Sequence, residues 1–123
     1  MNANDIQMCV VDTLQDDDME SMDLILKALN SQENSSWRAA RGQDFSPQEV
    51  QAALVQLMAA GLVTPCAEQP PAYECIPISF EQVGKAYTWE AVWFHLEQAG
   101  REAFKQWWNV EGQLKYPTGD LDS

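Results

Sequence analysis

The sequence predicts an α+β domain, mostly helical, with a small antiparallel sheet and extra helices at its N- and C-terminal ends. Three observations carry this expectation. Residues 46–60 form a capped amphipathic segment that stops at a glycine. Residues 62–96 hold short alternating runs broken by prolines and glycines. An aromatic stripe at helical spacing then occupies residues 96–111. A chain of 123 residues suits one domain with its own core. Its expected bounds are residues 1–112, followed by a flexible polar tail over 113–123 that contains Pro117 and Gly119.

Taken in order, residues 5–14 place Ile6, Cys9, Val10, Thr13 and Leu14 at helical spacing, although Ile6, Met8 and Val10 also alternate as a strand would. Helix is the expected state. "DDDMESMDLILKALN" reads as a second helix, with Asp18 or Ser21 as its cap and Met22, Ile25, Leu26 and Leu29 as its inward stripe. Asp16, Asp17 and Asp18 read as a solvated helix start rather than as metal ligands. The following stretch has room for a short helix near Trp37–Arg41.

The next helix carries the clearest local signal. Ser46 is a good N-cap, Pro47 fits the first helical position, and Glu49 completes a capping box. Phe45 is placed to staple onto Val50. Val50, Ala53, Leu54, Leu57 and Met58 share one face, and Gly61 takes the C′ role. "LVTP" then opens a strand.

Beyond it, "CAEQPPAYEC" places two prolines at a turn between segments able to pair. "PISFEQVGKAYT" reads as an irregular excursion. "EAVWFHL" alternates, with Val92, Phe94 and Leu96 on one face and Ala91, Trp93 and His95 on the other. The last helix carries Leu96, Ala99, Gly100, Ala103, Phe104, Trp107 and Trp108, with Gly112 expected to close it. Adjacent helical residues differ by about 100°, so one of Trp107 and Trp108 is expected in the core and the other as a lid or a partner anchor.

The chain carries a net charge of −12. Residues 1–30 set seven acids against Lys27, and residues 66–111 set seven against Lys85, Arg101 and Lys105. Such a field repels phosphate backbones and anionic membranes and favours basic partners. Cys9, Cys66 and Cys75 match no metal spacing and read as reduced thiols in a cytoplasmic protein. Cys66 and Cys75 sit where they could face each other across a hairpin, but free thiols are the expectation. The start lacks a signal-peptide pattern, and no stretch has the length of a membrane span.

The order of these elements resembles a winged helix-turn-helix domain. "SPQEVQAALVQLMAAGLVTP" (46–65) is similar to the recognition-helix region of bacterial winged-helix regulators, where the helix leads into the first wing strand. "WFHLEQAGREAF" (93–104) is similar to the segment that ends the wing in MarR-like regulators. Together the patterns span roughly residues 19–110. This chain departs by having Glu97 where the family usually has a capping threonine, and by a long segment between the wing strands.

The resemblance implies that helix 46–60 would present its outer face to a major groove. That face carries Gln48, Glu49, Gln51, Ala52, Val55 and Gln56, with no cation. Phosphate neutralisation supplies most DNA affinity, and the wing, residues 66–90, offers only Lys85 against four glutamates. A fold does not carry its usual function without the site. The expected function is therefore a non-catalytic, acidic winged-helix module acting in protein–protein interaction or regulation. Its partner is another protein or a second copy in a homodimer; neither membrane nor nucleic acid is expected. The candidate interface is Trp93, His95, Trp107 and Trp108. The alternative is a dimeric DNA-binding transcription regulator using helix 46–60 with Arg38, Arg41, Gln48, Gln51 and Gln56. A third idea, an acidic imitation of nucleic acid, rests on charge alone. No catalytic, cofactor or metal residues are expected: His95 is the single histidine, and the six glycines are isolated.

Overall fold

The computed structural model describes residues 1–16, 19–31, 37–71 and 73–117. Residues 5–14 are helical: α1 runs Ala3–Leu14. Asn2 caps it, accepting the Asp5 N–H at 2.8 Å while Asp5 Oδ2 accepts the Asn2 N–H at 3.3 Å. Met8, Cys9, Val10, Val11 and Leu14 are buried, so the helix is wrapped on more than one side.

The stretch read as the start of the second helix divides in two. Met19–Ser21 is a short strand, β1, and the helix α2 is confined to Met22–Leu29. Ser21 provides the α2 cap, accepting the Leu24 N–H at 3.3 Å; Asp17 and the other candidate cap, Asp18, lie outside the described residues. A 3₁₀ turn, Trp37–Arg41, leads to α3, Pro47–Ala59. Asn30 joins the two helices: its amide donates to the Phe45 carbonyl at 2.9 Å and accepts the Phe45 N–H at 2.7 Å. The reciprocal Ser46–Glu49 capping box is present, at 3.1 and 3.0 Å. Gly61, at φ +74°, makes the turn out of α3 into β2.

The sheet contains β1, β2 (Val63–Gln69), β3 (Glu74–Pro77) and β4 (Trp93–Leu96), all antiparallel, in the order β1-β4-β2-β3. Val63, Pro65 and Ala67 of β2 and Phe94 and Leu96 of β4 point into the helices. The alternation read over 90–96 holds from Val92 onward; Trp89–Ala91 is a 3₁₀ turn, so Ala91 is not a strand residue. The excursion before it has a second 3₁₀ turn at Phe80–Gln82.

The C-terminal helix departs from its expected form. It consists of α4, Gln98–Trp107, a π-helical turn at Trp108–Gly112, and a last helical turn, α5, Gln113–Lys115. Gly112 does not close the helix but is buried beneath the indoles. A Cβ there would meet both Trp107 and Trp108 at 2.6 Å. Trp107 and Trp108 keep α-helical backbone angles and leave the helix about 100° apart, yet both rings lie against Trp37.

Residues 113–117 are likewise not part of a loose tail. Tyr116 packs on Trp37 with ring centroids 5.3 Å apart, and its hydroxyl donates to Asp5 Oδ2 at 2.6 Å. The rest of the expected tail, 118–123, lies outside the described residues. The helices and the Trp37 turn thus enclose one core on one side of the sheet.

Candidate functional site

Both arginines near α3 are held inward. Arg38 donates to Thr13 Oγ1 and lies 3.6 Å from Asp12; its side chain is 14% exposed. Arg41 forms a two-pronged pair with Glu49, at 2.6 and 2.8 Å, and sits 4.4 Å over the Phe45 ring, with 10% of its side chain exposed. The donors pull the Glu49 carboxyl below its usual range, the Arg41 hydrogen bond most and the Ser46 backbone next. Each guanidinium thus fastens the Trp37–Arg41 turn, Arg38 to α1 and Arg41 to α3. Neither arginine reaches out beside α3.

The α3 surface is itself divided. Gln48 and Gln56 are exposed and Gln51 is half-buried. Glu49, Ala52 and Gln56 line a groove of about 530 Å³ whose other wall is Ala3, Ile6 and Gln7 of α1. Part of the face that the resemblance turns toward a major groove therefore lines a groove of the protein itself.

Trp93 and His95 lie on the sheet face turned away from the helices. Trp93 pairs with Cys66 and Ser21, and His95 with Thr64 and Met19. Both are half-buried. Glu97, which stands where the resemblance has a capping threonine, makes no side-chain cap to α4. It accepts the Thr64 hydroxyl at 2.6 Å and lies 3.9 Å from His95 Nε2.

Trp107 and Trp108 belong to an aromatic seam. Trp37 lies 5.2 Å from Trp107 and 5.6 Å from Trp108, and Phe104 stacks on Trp108 at 6.2 Å and 10°. Trp107 is buried and Trp108 half-buried. This is the expected division into one core tryptophan and a second that lids it, with Trp108 packed against Trp37 and Phe104. The exposed large apolar side chains on this helical run are Val110 and Leu114, at 64% and 78%. The helical stripe counted from the sequence stops short of them, because the π-turn shifts the phase after Trp107.

The seam is locked by Asp5, which is 2% exposed and accepts from Asn2, Tyr116 and Lys115. Burial by itself pushes this carboxyl up, but the hydrogen bonds from Tyr116, Lys115 and Asn2 outweigh burial and hold it below 3.8. The same contact raises the Tyr116 hydroxyl well above its ordinary value, after burial. Sequence spacing holds no signal for this cluster, since its partners are more than a hundred residues apart. Among the described residues no helix is long and apolar enough to cross a membrane. A scan against family models, a search of curated proteins and a search of solved structures each returned no match to this chain.

Proposed function

We propose that this chain is a non-catalytic winged-helix module that works by protein–protein contact, with a second copy of itself as a partner. The arrangement supporting the fold reading is the chain order α1, β1, α2, turn, α3, β2, β4 with the strand order β1-β4-β2. On that reading β3 and the excursion after it are an elaborated wing, and α4 is the helix beyond the wing. The observation that carries the functional reading is the inward pairing of Arg38 and Arg41. It leaves the α3 surface with glutamines and no free guanidinium beside them, whereas phosphate binding needs several cations on one face.

The surface assigned to the second copy is the outer side of the C-terminal helical run, around Ala103, Gln106, Val110 and Leu114. Val110 and Leu114 are exposed there, beside a shallow hollow lined by Ala103, Gln106 and Val110. Residues 98–117 carry Arg101, Lys105 and Lys115 against Glu102 and Glu111, in a chain of net charge −12. Two copies meeting along this run avoid the repulsion that acidic faces impose. Sedimentation equilibrium at micromolar concentration should give twice the 13.9 kDa chain mass, and a Val110→Glu/Leu114→Glu variant should return it to the single-chain value. A wild-type chain that stays at single mass rejects the self-partner reading. Selection from random DNA duplexes tests the alternative: recovery of a defined motif, lost in an Arg38→Ala/Arg41→Ala variant, would overturn the protein-contact reading.

A further inference from the structure

Cys66 and Cys75 lie on the two strands of the β2–β3 hairpin. Their register pairs Cys66 with Pro77 and Glu68 with Cys75. The Ile78 N–H donates to the Pro65 carbonyl at 2.9 Å, which makes Pro65–Ile78 a hydrogen-bonded pair. By alternation, Cys66–Pro77 and Glu68–Cys75 are non-hydrogen-bonded pairs, whose side chains stand closest across an antiparallel ladder. The two thiols therefore project from the same sheet face, one diagonal step apart. Trp93 stands across from Cys66 on β4, on the same sheet face. Cys66 is 6% exposed and Cys75 half-buried, so one thiol is sheltered and the other reachable.

We infer that Cys66 and Cys75 form a reversible dithiol–disulfide site, oxidised by low-molecular-weight disulfides of the glutathione class. The reachable Cys75 sulfur, after losing its proton, attacks one sulfur of the external disulfide. That S–S bond breaks, and one external thiol leaves with a proton. Cys66, losing its proton in turn, attacks the Cys75 sulfur of the mixed disulfide and expels the second external thiol. Two protein thiols are oxidised and one external disulfide is reduced to two thiols.

A diagonal step in a flat ladder is roughly 7–8 Å, beyond the roughly 4.4–6.8 Å over which a disulfide spans two Cα atoms. Closure thus requires β3 to slide toward β2. Among the described residues β3 is the edge of the sheet, with no strand beyond it to hold it in place. A bond made this way is readily reduced again, as exposed or distorted disulfides are. The thiols also sense one another. Cys66 is pushed up to about 11, first by burial and then by the Cys75 beside it; Cys75 is raised mainly by burial. Only the thiolate attacks, so oxidation accelerates as pH rises above neutral. The site does not depend on the winged-helix reading.

The test is incubation of the full chain with oxidised glutathione over a pH series, followed by acid quench, alkylation and peptide mass mapping. Two of the three thiols should disappear into a Cys66–Cys75 link, faster at higher pH, with no new covalent dimer and with full recovery in reduced glutathione. Cys9, which is 0% exposed, should stay alkylatable after unfolding. Cys66→Ala should instead trap a glutathione adduct on Cys75, and Cys75→Ser, changed at the more exposed position, should show no link. Wild-type protein that keeps all three thiols, or accumulates the Cys75 adduct without closing the link, overturns the assignment. So does oxidation that yields only chain-to-chain dimers.

Discussion

The aromatic seam and the β2–β3 hairpin with its excursion both hold large apolar side chains, and they treat them in opposite ways. In the seam, ring contacts among Trp37, Phe104, Trp107, Trp108 and Tyr116 have centroids 5.2–6.5 Å apart. A buried carboxylate ties the chain's two ends across them. In the hairpin and excursion, Tyr73, Ile76 and Phe80 are exposed, and Glu68, Glu74 and Glu81 are exposed with them. Tryptophan content therefore does not by itself mark exposed surface in this protein. Three of the five indoles close the fold, and Trp89 stacks on Phe94 at 5.8 Å.

Removing a seam ring is the strongest way to break this contrast. Trp107→Ala deletes a side chain that is 92% buried by its 8% exposure and should cost about 3–5 kcal/mol, the usual range for emptying an aromatic core site. The urea midpoint should fall with an unchanged slope. A near-normal midpoint would mean that residues 104–116 peel away from the core at little cost, leaving the seam no more structural than the hairpin.

Two acids of α1, the buried Asp5 and the half-buried Asp12, give the seam a pH signature with opposing signs. Asp5 titrates below 3.8 in the fold. It therefore stabilises the fold above 3.8, and that contribution is lost as pH falls through the folded value. Asp12 is raised above 3.8 by burial, against the pull of Arg38 and the Trp37 indole. Its ionised form costs stability above the folded value, a cost relieved as pH falls toward 3.8. Tyr116→Phe removes one donor from the Asp5 carboxylate and should cost about 1.5–3 kcal/mol at neutral pH. Its deficit against wild type should narrow below pH 3.8 and stay level above it. No deficit at neutral pH would show that Tyr116 acts only through its ring, which phenylalanine keeps.

Legibility followed the range of the interactions. The α3 helix could be read completely, because Ser46, Pro47, Glu49 and Val50 are a few positions apart and their chemistry is local. The outward alternation of Trp93 and His95 was legible for the same reason. β1 was hidden because three residues flanked by acids look like the start of the helix that follows. The π-turn was hidden because a count at 3.6 residues per turn cannot register a change of phase. The arginines were visible as charge, but their sequestration depends on Asp12 and Thr13, more than twenty positions upstream, and on the partner chosen by Glu49. The proposed exposed stripe at Val110 and Leu114 follows from the same phase change, so periodicity alone pointed to the two tryptophans instead.

The smallest expected effect sharpens the comparison from the hairpin side. Tyr73 carries an aromatic ring like those of the seam, but the residue is 68% exposed and its backbone sits at φ +54°. A non-glycine residue in that left-handed region carries strain of about 1–2 kcal/mol, which glycine removes. Against this, glycine enlarges the unfolded ensemble by roughly 0.5–1 kcal/mol, and little packing is lost because most of the ring already faces water. The terms nearly cancel, so Tyr73→Gly should leave the unfolding free energy from urea titration within about 1 kcal/mol of wild type, on the stabilised side if anything. The same measurement thus reads two aromatic deletions several kcal/mol apart. A loss above about 2 kcal/mol for Tyr73→Gly would mean that the ring has a packing partner. The hairpin would then be closed in the same sense as the seam, and the contrast between the two regions would fail.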